Sequence, residues 1–168
     1  MIKKLLLVAL LLLVAIQFFK PEKNISADNT YDIRNSYEVP EEVHQILVTA
    51  CNDCHTNNTR YPWYANIQPI AWILAEHVED GKKHLNLSTF TKMPIAVQNH
   101  KLEETAEMVE EKEMPLASYT YLGLHADAKL SDAQREILVN WAHAQMDSLK
   151  AHYPADSLVM KRRPNDNQ

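Results

Sequence analysis

Residues 131–149 read SDAQREILVNWAHAQMDSL, and this stretch sets the fold class. Ser131 carries the hydroxyl that helix starts favour, because its oxygen accepts from an N–H the first turn leaves unsatisfied. Ile137, Leu138, Trp141 and Ala142 then recur at the spacing of one helix face. Outward from this helix the same period returns. Residues 102–113 set Leu102, Ala106 and Val109 inward among glutamates. Residues 67–78, IQPIAWILAEHV, form a helical pattern interrupted early by Pro69 and closing near Gly81. Residues 40–50, PEEVHQILVTA, place Pro40 and two glutamates at a helix start, with Val43, Ile46, Leu47 and Ala50 on one face. Trp72 and Trp141 read as core residues. Strand alternation is nowhere convincing and no internal repeat is present, so the expected fold is all-α.

Composition narrows the function. The chain has 168 residues, 46 % hydrophobic and 23 % charged, the make-up of one globular domain. Only two glycines are present, Gly81 and Gly123. No phosphate-cradling loop and no dinucleotide fingerprint can be written with so few, and the glycine turns of a β-sandwich are missing too. The net charge is −5 with no dense basic face, which excludes nucleic acid as an expected partner. Cys51 and Cys54 are the only cysteines, too few for a disulfide scaffold.

The N-terminus reads MIKKLLLVALLLLVAIQFF. Lys3 and Lys4 precede an apolar run from Leu5 to Phe19, broken only by Gln17. As a helix this run spans about 22 Å, short of the ~30 Å hydrocarbon core. That length suits a signal-peptide core, or an anchor extended by snorkelling Lys4 and Lys20. The nearest small-residue cleavage site, Ile25-Ser26-Ala27, is poor. The expectation is an uncleaved anchor with Lys3 and Lys4 cytoplasmic and the remainder exported; a soluble periplasmic protein after cleavage is the alternative. The chain then divides into a signal-anchor segment (1–20), a linker (21–39), a functional domain (40–150) and a polar tail (151–168). The tail, from His152 on and including Lys161, Arg162 and Arg163, is expected to be frayed and solvated.

The chemistry lies at Cys51-Asn52-Asp53-Cys54-His55. Cys-x-x-Cys-His is the attachment signature of c-type haem. On a helix, positions i, i+3 and i+4 share a face. Two thiols there can add to the two vinyl groups of one haem, and the adjacent imidazole meets the iron as proximal ligand. Export agrees with this, because c-type haem is attached outside the cytoplasm. A redox dithiol would normally follow a strand, and none is visible. A structural zinc would want two more close ligands. A Cys51–Cys54 disulfide would leave His55 unexplained.

With these residues in view the chain resembles the cytochrome c superfamily, and more closely the small membrane-tethered bacterial haem-binding domain family. The resemblance runs from Val39 to Ala144. It rests on CNDCHTNNTRYPWY, IAWILAEHVEDGKKHLNLS, EMPLASY and LHADAKLSDAQREILVNWA. It implies cytochrome c-like helices wrapped around one covalent haem c, with histidine and methionine axial ligands. The family pattern favours a glycine two residues before the EMPLASY methionine; here that place is Lys112.

Met114 follows the third helical pattern and precedes the fourth, where cytochrome-like folds take their distal methionine. Pro115 would end the helix and stiffen that loop. Met93, before Pro94, is the direct rival. His77 on a helix flank, His84 and His100 in loops and His125 in a turn are further candidates. Tyr61, Trp63 and Tyr64, just beyond the haem motif, are candidates to pack on the porphyrin or bond a propionate. Residues 101–113 carry six glutamates against two lysines. Such a run is either a solvated helix face or a docking face for a basic redox partner. The expected function is a membrane-tethered periplasmic single-haem electron carrier rather than an enzyme. The alternative is a haem sensor or peroxidase-like protein with an open or displaceable sixth position.

Overall fold

The computed structural model describes residues 1–121 and 125–160. Among these residues it contains seven α-helices: α1 (Ile2–Ile16), α2 (Glu41–Ala50), α3 (Asn52–His55), α4 (Ile70–His84), α5 (Ile95–Glu110), α6 (Ala117–Thr120) and α7 (Asp132–His152). Short 3₁₀ turns link them. A single isolated bridge, Ile25 with Asn58, is the only extended pairing among the described residues. The all-α expectation holds. The described residues fall into two compact units, one of residues 1–27 with 53–86 and one of residues 28–52 with 87–121 and 125–160.

In the first unit, α1 is 15 residues long and buries none of its side chains. Among the described residues no helix is long and apolar enough to cross a membrane. The expected anchor is therefore not present as a spanning helix; at 1.5 Å per residue, α1 covers about 22 Å. Its C-terminal end is fastened by side chains. Gln17 Nε2 donates to the Gln68 carbonyl (3.2 Å), and the Gln68 N–H donates back to Gln17 Oε1 (3.0 Å). Gln68 Nε2 and the Trp72 indole N–H both donate to the Phe19 carbonyl, at 2.7 and 3.0 Å. Trp72 is thus not a core residue: it stays 41 % exposed and serves as a surface donor. Helix α4 starts after Pro69 and continues through Gly81 to His84, a turn beyond the expected end.

In the second unit, α5 packs along α7. Leu102, Ala106 and Val109 of α5 and Leu138, Trp141 and Ala142 of α7 are buried. Ser131 caps α7 by accepting from the Gln134 N–H, and Gln134 returns a bond to the Ser131 N–H, at 3.2 and 2.9 Å. Helix α2 buries Val43, Ile46, Leu47 and Ala50, the four residues its period selects. Helix α5 begins seven residues before the expected Leu102, directly after Pro94. Its first two turns bury Gln98, whose amide donates to the Met93 carbonyl at 2.6 Å, so a polar inward residue masks the apolar period.

The stretch 21–39, read as a linker, is packed at several points. Asp32 caps a 3₁₀ turn by accepting from the Arg34 N–H (3.0 Å), and Ile33 and Tyr37 are buried. Tyr37 meets Phe90 edge-on at 5.4 Å and donates to Gln98 Oε1 at 2.6 Å. At the other end of the chain, α7 reaches His152 and a turn at Ala155–Ser157 returns Leu158 to a buried position. Lys161, Arg162 and Arg163 lie outside the described residues.

Candidate haem site

Cys51 ends α2 as its C-terminal cap residue, and Asn52–His55 form the single turn α3. The Cys-x-x-Cys-His spacing therefore sits on a helical break and restart rather than in a continuous helix. No disulfide joins the two thiols. Burial, with the Asp53 carboxylate adding to it, pushes the Cys54 thiol up to about 11. A dithiol redox centre needs the opposite shift, since the thiolate is its nucleophile.

His55 is held at one nitrogen. Its Nδ1 lies 3.0 Å from the Gly81 carbonyl and 3.0 Å from the Leu85 carbonyl. A carbonyl only accepts, so Nδ1 carries the proton and the Nε2 lone pair is left for a metal. Both carbonyls belong to the last turn of α4 and the residue that follows it; the Gly81 carbonyl also accepts from the Leu85 N–H at 2.9 Å. Desolvation by burial keeps the imidazole below its ordinary value, only partly offset by the two carbonyls, and nearby His84 adds to the lowering. Burial thus favours the neutral imidazole that ligation of iron requires.

Gly81 allows this approach. A Cβ at that position would lie 2.7 Å from the Cys54 carbonyl oxygen and 3.0 Å from Cys54 Cβ. Glycine lets α4 run against the haem motif closely enough for its carbonyl to reach His55. The expectation that Gly81 closes the helix mistakes this close approach for a stop.

The loop after the motif is secured by two polar residues. Buried Asp53 accepts from the Arg60 N–H (3.1 Å), Nε (3.1 Å) and Nη2 (3.2 Å). Thr59 Oγ1 donates to the Asp53 carbonyl at 2.6 Å. Asn24, assigned no role in the sequence, is the second. Its amide donates to the Thr56 carbonyl (2.8 Å) and Thr59 Oγ1 (2.9 Å), and its Oδ1 accepts from Lys82 Nζ (2.6 Å). Its N–H donates to the Tyr61 hydroxyl at 2.8 Å, and its carbonyl accepts from the Thr59 N–H at 3.0 Å. Nothing in the local pattern at Asn24 announces this, since every partner lies at least 30 residues away.

The candidate pocket aromatics divide. Tyr61 spends its hydroxyl on Asn24 and lies under Lys23 Nζ, 5.2 Å from the ring centre. Trp63 is 76 % exposed and meets Tyr64 edge-on at 5.7 Å. Tyr64 is half-buried, and desolvation followed by the Asp53 charge raises its hydroxyl above the ordinary value.

In the second unit, Met114 is half-buried in the loop between α5 and α6. Lys112 just before it adopts φ 64°, the left-handed conformation that glycine takes without cost. The resemblance's glycine preference at this position thus has a backbone reason. The other candidate ligands are placed as follows. Met93 precedes α5, and its backbone carbonyl accepts from Gln98 Nε2. His100 lies within α5 rather than in a loop and faces Glu103 and Glu104 at 3.6 and 3.1 Å. His84 closes α4 rather than lying in a loop, His77 lies within α4, and His125 stacks on Tyr119 at 4.2 Å. Among the described residues no cluster of three or more His, Cys, Asp and Glu side chains is arranged to hold a metal ion.

A site with one neutral, carbonyl-oriented imidazole beside two thiols fits a haem, which brings four of the iron's ligands itself. Comparison with known families agrees. The model of a haem-binding domain family matches residues 11–144. The chain belongs to this family, and haem is its cofactor. No curated protein and no solved structure matches the chain.

Proposed function

We propose that the protein is a single-haem c-type electron carrier, tethered to a membrane at its periplasmic face. Cys51 and Cys54 would hold the haem through thioether bonds, and His55 and Met114 would ligate its iron. When bound, the haem supplies a one-electron iron couple. The chain's own residues orient and tune it. Gly81 and Leu85 fix the His55 tautomer through Nδ1 and raise its basicity as a ligand. A thioether at Met114 favours the ferrous state and raises the potential. The exposed carboxylates of Glu103, Glu107, Glu110, Glu111 and Glu113 suit docking by a basic redox partner. The apolar, exposed helix α1 is the tether, with Lys4 in its first turn and Lys20 four residues beyond its end extending its reach. On this reading the protein carries electrons rather than catalysing a reaction of its own.

The observation that carries this reading is the Cys51-x-x-Cys54-His55 motif with Nδ1 of His55 committed to two carbonyls. Its test is acid–acetone extraction of protein produced with a haem-attachment system. The haem should stay with the denatured chain, and Cys51→Ala with Cys54→Ala should release it. Extractable haem in the unaltered protein overturns the covalent reading. A high-spin ferric form that binds carbon monoxide readily on reduction would replace the carrier with the sensor or peroxidase-like alternative.

A further inference from the structure

Arg135 lies in the first turn of α7, where the Ser131 capping box fixes the start of the helix. Its Nη1 donates to two backbone carbonyls at once, Val109 at 2.8 Å and Met114 at 2.7 Å. Val109 belongs to the last turn of α5, and Met114 lies four residues beyond the end of that helix. The Met114 N–H donates back to the Met108 carbonyl at 3.0 Å. Both polar atoms of the Met114 backbone are therefore committed, one to α5 and one to α7. Lys112 Nζ meets Asp132 Oδ1 at 2.8 Å and ties the same loop to the same helix start, but in the open, with both side chains well exposed. The Arg135 contact is the half-buried one, and a guanidinium makes it charge-assisted and directional.

From this geometry we propose that Arg135 is a positioning residue for the sixth iron ligand. It fixes the Met114 backbone, so that the thioether reaches the iron by side-chain torsions alone from a fixed Cα. The proposal rests on the reading of Met114 as distal ligand and adds the group that holds it there. Without Arg135 the loop samples other positions, the share of methionine-ligated protein falls, and an external ligand competes more easily.

The test is imidazole binding to the ferric holoprotein, followed by loss of the weak red charge-transfer band of histidine–methionine ligation. Arg135→Gln should raise the apparent imidazole affinity at least tenfold. Arg135→Lys keeps one charged donor but cannot reach both carbonyls with the same geometry, so it should raise affinity several-fold and still be measurable if the glutamine variant folds poorly. Met114→Ala should raise it further, and adding Arg135→Gln to Met114→Ala should change nothing more, because Arg135 acts through Met114. Unchanged affinity in Met114→Ala means that Met114 is not the ligand, and the reading beneath the proposal fails. A rise in Met114→Ala with wild-type affinity in both Arg135 variants overturns the role of Arg135 alone. Earlier urea unfolding of the Arg135 variants without a change in affinity does the same, by showing that the residue is merely structural.

Discussion

Gly81→Ala tests the packing of α4 against the haem motif. In an ordinary helix interior this change stabilises by about 1 kcal/mol, because alanine loses less backbone entropy than glycine. Here the new methyl would stand 2.7 Å from the Cys54 carbonyl oxygen, 3.0 Å from Cys54 Cβ and 3.2 Å from the Cys54 carbonyl carbon. Two of these three atoms are backbone, so no side-chain rotation relieves the contact. Opening it to van der Waals distance needs a shift of roughly half an ångström, and such overpacking costs about 1–3 kcal/mol. The same shift draws the Gly81 carbonyl away from His55 Nδ1, now 3.0 Å apart, at a cost of about 1 kcal/mol for a weakened buried hydrogen bond. The overpacking and the lost bond outweigh the helix-propensity gain, and the expected net destabilisation is about 2 kcal/mol. Urea unfolding of apo and haem-loaded protein measures it, with Lys83→Ala on the exposed side of α4 as a control expected to move stability by less than about 0.5 kcal/mol. The yield of attached haem should fall with Gly81→Ala, since His55 loses an orienting partner. A Gly81→Ala variant as stable as the wild type or more so, with full haem attachment, would refute the close approach and return Gly81 to an ordinary helical position.

Two further expectations concern the loops. Asn24→Ala removes three side-chain hydrogen bonds, to Thr56, Thr59 and Lys82, and should destabilise by about 2 kcal/mol at the usual net worth of such bonds; a change below about 0.5 kcal/mol in urea unfolding would show that the segment is a loose leader. Lys112→Gly should be more stable than Lys112→Ala by about 1 kcal/mol, because both lack the exposed pair with Asp132 but only glycine adopts φ 64° without strain; equal stabilities would mean that the loop before Met114 is not held in the left-handed conformation.

Helices α2 and α7 are legible from local signals. A cap residue, an acidic first turn and an apolar stripe all lie within one or two turns of each other, and the buried residues of α2 are the four its period selects. The spacing of Cys51, Cys54 and His55 pointed to haem for the same reason, and the family match agrees on the cofactor. Elsewhere local pattern misleads. Gly81 looks like a helix stop and is a close approach. Trp72 looks like core and is a surface donor to the Phe19 carbonyl. The start of α5 hides behind the inward-facing Gln98, whose burial is offset by the Tyr37 hydroxyl and the Met93 carbonyl.

By itself the sequence determined the all-α class and pointed to haem through the Cys51-Cys54-His55 spacing, because periodicity, capping and motif spacing are properties of neighbouring residues. Tertiary structure decided the rest. It chose which nitrogen of His55 carries the proton, by bringing the Gly81 and Leu85 carbonyls to it. It made Asn24 a hub for residues 56–61 and Lys82, and it set Arg135 across the carbonyls of Val109 and Met114. Each of these is a polar group satisfied by a partner 20 to 60 residues away. A buried or half-buried donor must find an acceptor, but which acceptor it finds depends on where the chain returns, and spacing along the sequence carries no record of that.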